Sequence, residues 1–145
     1  VTGGRLSGLV TGVHPPGVYG WRSRAHPGPV RRDLAAAGWA LYVIDGRTVT
    51  GPGPLFDRCA GLLAFPVRCG HTFGALADCL GDLSWLPGRG HVVLWEAWRV
   101  LARRDPKTWQ RAYQVFADAA AGRPTGAAPL YLLLRGAAPP GTLLL

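Results

Sequence analysis

Apolar residues fall into two kinds of pattern along this chain. Trp39 to Ile44, His91-Val92-Val93-Leu94-Trp95 and Leu130-Tyr131-Leu132-Leu133-Leu134 are unbroken runs of strand length. Runs of that kind suit parallel strands buried on both faces. Elsewhere the spacing is three or four, the step of a helix with one buried face. Phe73, Leu76, Leu80 and Leu83 follow it. So do Leu55, Phe56, Cys59, Leu62 and Leu63, and later Trp109, Tyr113 and Phe116.

Breakers and caps bound these elements. Pro29 and Gly38 bracket a helix with Val30, Leu34 and Ala37 on one face. Pro54 opens a second helix and Pro66 ends it, and Val67 to His71 is a loop. Ala97 to Arg104 is a short helix. Asp105 and Pro106 restart it as N-cap and first position, and Gly122 closes it. Val18-Tyr19-Gly20-Trp21-Arg22 has strand character weakened by Gly20.

The order is βα, then β, two helices, β, two helices, β. That predicts an α/β domain, a small parallel sheet packed with helices. Three strands form its core, and Val18–Arg22 is expected to lie parallel on the edge beside Trp39–Ile44. The division expected is a flexible arm over 1–16, a strand–helix extension over 17–38, the main domain over 39–135 and a flexible tail over 136–145.

Charge changes the picture in one place. Lys and Arg total 16 against 8 acidic residues, a net charge of +8. Yet the run from Cys69 to Gly88 contains no Lys or Arg. Asp78 and Asp82 stand four apart on its helix, outside the apolar stripe. An acid-only helix in a basic protein is a candidate contact surface. The opposite pattern occurs at Arg99, Arg103, Arg104, Lys107 and Arg111, near Trp98 and Trp109. Such a cluster could track phosphates, which makes RNA binding the competing function class.

Enzyme chemistry finds little support. There is no Ser-His-Asp order with elbow glycines, no HExxH, no Walker loop and no Gly-rich dinucleotide turn after a strand. Neither catalysis nor a cofactor is expected. Cys69-x-His71 is half of a metal site without a second half, so no metal is expected. Three cysteines form no evident disulfide framework, and Cys59 and Cys79 read as small buried residues. With no apolar run near the ~20 residues of a membrane helix, the expectation is a cytosolic protein.

The same stretch resembles the barstar family of intracellular ribonuclease inhibitors. The resemblance rests on Gly70, Ala75-Leu76 and Asp78-Cys79-Leu80 ahead of a Trp and a valine-rich strand. It extends to Tyr42-Val43-Ile44-Asp45-Gly46, Gln114-Val115-Phe116 and Leu130 to Leu134, spanning about Trp39 to Leu134. It implies a three-stranded parallel sheet, no catalytic residues, and a bacterial, cytoplasmic antitoxin or immunity protein. Its partner would be a ribonuclease of guanyl-specific type or a ribonuclease toxin, met by a free inhibitor that is monomeric; the alternative is a basic RNA-binding or scaffold protein that keeps the fold but not the inhibition. By position, Asp78 matches the acidic residue that plugs the enzyme's phosphate site. Asp118 matches an acidic residue on the late helix, and Gly70 keeps the loop shape. The implied partner-binding set is Arg68, Gly70, His71, Thr72, Gly74, Ala77, Asp78, Asp82 and Asp118. Four of these depart from the family's typical inhibitor, which has an aromatic at Arg68, Asn at Thr72, Asp at Gly74 and Trp at Ala77.

Overall fold

The computed structural model describes residues 3–67, 69 and 71–145, with side chains from Leu6 onward. Its strands are β1 (Val18–Trp21), β2 (Trp39–Asp45), β3 (Gly90–Glu96), β4 (Leu130–Arg135) and β5 (Leu143–Leu144). They form one sheet in the order β2-β3-β4-β1-β5, and every pairing is parallel. The three apolar runs are therefore adjacent, as their composition predicts. The helices are α1 (Gly3–Val10), α2 (Pro27–Ala36), α3 (Pro52–Leu62), α4 (Phe73–Asp82), α5 (Arg99–Arg104) and α6 (Pro106–Ala121).

Alternation along the central strands divides the core in two. Val93 and Trp95 of β3, with Leu130, Leu132 and Leu134 of β4, face α3, α4, α5 and α6. Val92 and Leu94, with Tyr131 and Leu133, face the other way, toward α1 and α2. Both central strands are buried almost throughout. At the sheet edge β2 has Tyr42 and Val43 half exposed, so the expected burial on both sides does not hold there. An edge strand lacks the neighbour that would cover it.

The N-terminal segment differs from its sequence reading in two ways. β1 pairs with β4, not with β2, and β5 covers its outer side, so it is not an edge strand. The crossover through α2 passes over β4 and β3 to reach β2. Residues 3–10 are a helix rather than a loose arm. Leu6 and Leu9 are each 1% exposed and pack against the second core. Tyr131 in β4 fixes this helix by donating its hydroxyl to the carbonyls of Leu9 (3.3 Å) and His14 (2.6 Å).

The tail likewise returns to the sheet, through Leu143–Leu144 beside β1. Gly20 makes room for it. A methyl group at that position would lie 2.6 Å from both Ala138 Cβ and Leu144 Cδ2.

Truncating Leu9 to Ala should cost about 2–5 kcal/mol of stability, the range for a buried leucine. Urea unfolding of Leu9→Ala measures it, and a frayed arm would give no change.

Candidate functional site

Helix α4 begins at a well-fixed corner. The Thr72 hydroxyl accepts the Ala75 amide at 3.0 Å, the usual N-cap bond. Phe73 packs edge-on against Phe56 of α3, ring centres 5.0 Å apart, and the Arg111 guanidinium lies 4.9 Å over its face. A disulfide joins Cys69 in the preceding loop to Cys79 in the helix, with Cα atoms 6.3 Å apart. This overturns the reading of three unpaired cysteines, and with it the ground for expecting a cytosolic location. Cysteine count gave no hint because the loop, not the spacing, brings the two sulfurs together.

Its other end is fixed by a residue no sequence signal singled out. Arg123, just past α6, donates to the carbonyls of Leu80 (2.9 Å), Asp82 (3.2 Å) and Ala128 (2.6 Å). The first two are carbonyls at the helix C-terminus that lack intrahelical partners, where a cation is favourable. The next residue, Leu83, takes a left-handed conformation (φ 50°) and buries its side chain. Trp85 follows, donating its indole N–H to the Leu63 carbonyl at 2.9 Å. Beside Arg123, His91 is 1% exposed. Burial, with the Arg123 charge as the lesser cause, holds its imidazole below the usual range.

Between those ends the outer face is almost bare. Gly74 and Asp78 are exposed, and Ala77, Gly81 and Asp82 are half-buried. Glycine and alanine around Asp78 leave its carboxylate standing above a low surface. Among the described residues it has no hydrogen-bond or ion-pair partner. Asp82 is placed differently. It accepts the Ser84 amide at 3.3 Å and its charge acts on Arg123, so it belongs to the helix end.

The remaining expected residues sort as follows. His71 pairs with Asp57 of α3, Nδ1 to Oδ1 3.1 Å, and both are exposed. Asp118 is exposed in the last turn of α6, where it accepts the Gln114 amide at 2.8 Å. Helices α4 and α6 pack together, so Asp78 and Asp118 stand on neighbouring elements. Arg68 and Gly70 lie outside the described residues.

Two members of the basic cluster have structural work. Arg99 donates to the Ala137 carbonyl (3.1 Å) and stacks on Trp98, and Arg111 covers Phe73. Arg103, Arg104 and Lys107 are exposed. Trp98 and Trp109 stack on one another in the core, ring centres 4.8 Å apart, and offer no face to a base. No group of three or more His, Cys, Asp or Glu among the described residues is arranged to hold a metal. No helix among them is long and apolar enough to cross a membrane.

Two outcomes follow from the corner and the helix end. A ten-residue link such as Cys69–Cys79 restricts the unfolded chain. Cys69→Ala, or reductant, should therefore lower stability by about 2–3 kcal/mol in the chain-entropy picture. Urea unfolding with and without reductant tests this, and equal midpoints would contradict it. Cys59, whose thiol burial pushes up to about 12, should resist alkylation until the protein unfolds.

His91 predicts a pH dependence. Its folded-state affinity for a proton is depressed, so the unfolded chain binds the proton first as pH falls through about 6.5. Stability is then lost from that point downward, and His91→Gln should flatten the slope between about pH 7 and 5. Unfolding midpoints across that range decide it.

A model of the barstar family, described as barstar (barnase inhibitor), matches residues 39–133, about two thirds of the chain. A search of curated proteins finds no significant match. The matched span holds β2, β3, the first four residues of β4 and the four helices α3 to α6. It includes the fixed helix with its exposed Asp78. The chain belongs to the barstar family, whose members are inhibitors rather than enzymes.

Proposed function

We propose that this protein inhibits a ribonuclease, of guanyl-specific type or a ribonuclease toxin, by placing Asp78 in its cationic active site. The observation that carries this reading is an exposed carboxylate, without a partner among the described residues, on a helix fixed at both ends. A ribonuclease active site is built to hold a phosphate, so it presents Arg and Lys groups. A carboxylate on a helix already fixed can pair with them, and little backbone has to be ordered first. Charge complementarity is a local property, so a net charge of +8 does not oppose it.

The contact surface would consist of α4 around Asp78, the loop from Arg68 to Thr72, and Asp118 on α6. Asp82 would contribute only through the shape of the helix end. Where relatives typically carry Asp and Trp, Gly74 and Ala77 leave a flatter, less charged surface. That supports a partner whose rim differs from the usual enzyme. The protein would act as a free monomer, without catalysis, in the cytoplasm of a bacterial producer as an antitoxin or immunity protein. Cys69 and Cys79 would there meet reducing conditions. Of the five residues in the basic cluster, the RNA-binding reading retains Arg103, Arg104 and Lys107 without a partner among the described residues, which is a small patch for a phosphate track.

The test is inhibition of barnase and related ribonucleases, and of any nuclease that co-purifies with the protein from its source. One-to-one inhibition is expected. Asp78→Ala should cost about 2–5 kcal/mol of binding, mainly through faster dissociation, a range that itself draws on ribonuclease–inhibitor pairs of this kind. Arg103→Ala with Arg104→Ala should change little. If the arginine pair matters and Asp78 does not, or if no ribonuclease is inhibited, the proposal fails.

A further inference from the structure

A second surface lies at the carboxyl end of the sheet, with most of its lining outside the matched span. β1, β3 and β4 end together at Trp21, Glu96 and Arg135. From Trp21 the chain turns to α2 on one face of the sheet. From Glu96 it turns to α5 and α6 on the opposite face. Chains that diverge to opposite faces leave a crevice at the carboxyl ends of the strands, the place where open α/β sheets bind ligands. The crevice here is a cleft of about 540 Å³.

Its floor is rigid and its charge is cancelled. Arg135 binds Glu96 through two bonds, Nε to Oε1 at 2.7 Å and Nη2 to Oε2 at 3.2 Å. It also donates to the carbonyls of Ser23 (2.6 Å) and Ala25 (2.9 Å), and its guanidinium lies 4.8 Å over the Trp21 ring. These bonds take up the arginine and pin the extended segment from 22 to 26. The wall formed by that segment is a different matter. Arg22, Arg24 and His26 line the cleft and are exposed, with no side-chain partner among the described residues. With Glu96 neutralised by Arg135, no free carboxylate lines the cleft to answer the two guanidinium groups.

We propose that this cleft binds a phosphate monoester of a small molecule. Two unpaired guanidinium groups held on a pinned wall match a dianionic phosphate, which arginine holds through paired N–H bonds. The volume leaves room for an organic group beyond the phosphate. Of the charged groups involved, only Glu96 falls within residues 39–133, so the site is a product of the N-terminal addition and the end of β4. Its lining comes from residues 22–27, Glu96 and residues 135–137, none of them on α4, α6 or the loop before α4. The two surfaces can therefore be tested apart.

The full-length protein is titrated with inorganic phosphate and with phenyl phosphate, against chloride at equal ionic strength, while amide NMR shifts are followed. Saturable shifts are expected at residues 22–28 and at Gly136, with the ester bound at least as tightly as inorganic phosphate. The variant carrying Arg22→Gln and Arg24→Gln should bind about tenfold more weakly or worse, through loss of charge-assisted hydrogen bonds. Both side chains are exposed, so its unfolding midpoint should not move. Arg103→Gln with Arg104→Gln should bind as the wild type does. Shifts that do not saturate, that spread equally to residues 103–107, or that persist in the Arg22/Arg24 variant would overturn the proposal. Ribonuclease inhibition is expected to be the same in all three proteins.

Discussion

A parallel sheet must be covered on both faces, and that constraint organises this molecule. β3 and β4 carry apolar side chains on both sides, so neither face of the sheet can be left to water. The helices within residues 39–133 all pack on the side of Val93, Trp95 and Leu132. The side of Val92, Leu94, Tyr131 and Leu133 is covered by α1, α2 and the Tyr19 and Trp21 side chains of β1. The N-terminal addition is thus part of the fold. It supplies a layer, and in turning back to β2 it opens the cleft at the carboxyl ends of the strands.

The face of α4 depends on a more local set of restraints. Thr72, Phe73 and the Cys69–Cys79 link hold the start of the helix, while Arg123 and buried Leu83 hold its end. Little freedom remains to be lost when a partner docks. The small residues around Asp78 reduce side-chain ordering further, since glycine and alanine have almost none to lose. The cost is a surface poorer in contacts, so recognition would rest on one well-placed charge and the shape around it.

Much of the sheet was legible because its signal is local. Unbroken apolar runs identify β2, β3 and β4, and the spacing of Phe73, Leu76, Leu80 and Leu83 identifies α4. What escaped is non-local or short. β1 pairs with a strand more than a hundred residues away, and parallel pairing leaves no mark on either sequence. α1 reads Gly-Gly-Arg-Leu-Ser-Gly-Leu-Val, a poor helix by propensity, formed because Leu6 and Leu9 are buried against α2 and the sheet. The Cys69–Cys79 link depends on the path of a loop, and Arg123 is one arginine among many until its three carbonyl partners are seen. Of the candidate site, the two carboxylates of α4 could be read from the acid-only run. That Asp82 belongs to the helix end while Asp78 has no partner among the described residues could not.

The central claim is that the outer face of α4 meets a nuclease. Hydrogen–deuterium exchange of the protein, alone and in complex with a ribonuclease it inhibits, tests that face directly. New protection is expected over residues 72–82 and around Asp118, with residues 103–107 unchanged. Protection confined to the α5–α6 basic stretch, with residues 72–82 exchanging as in the free protein, would contradict it.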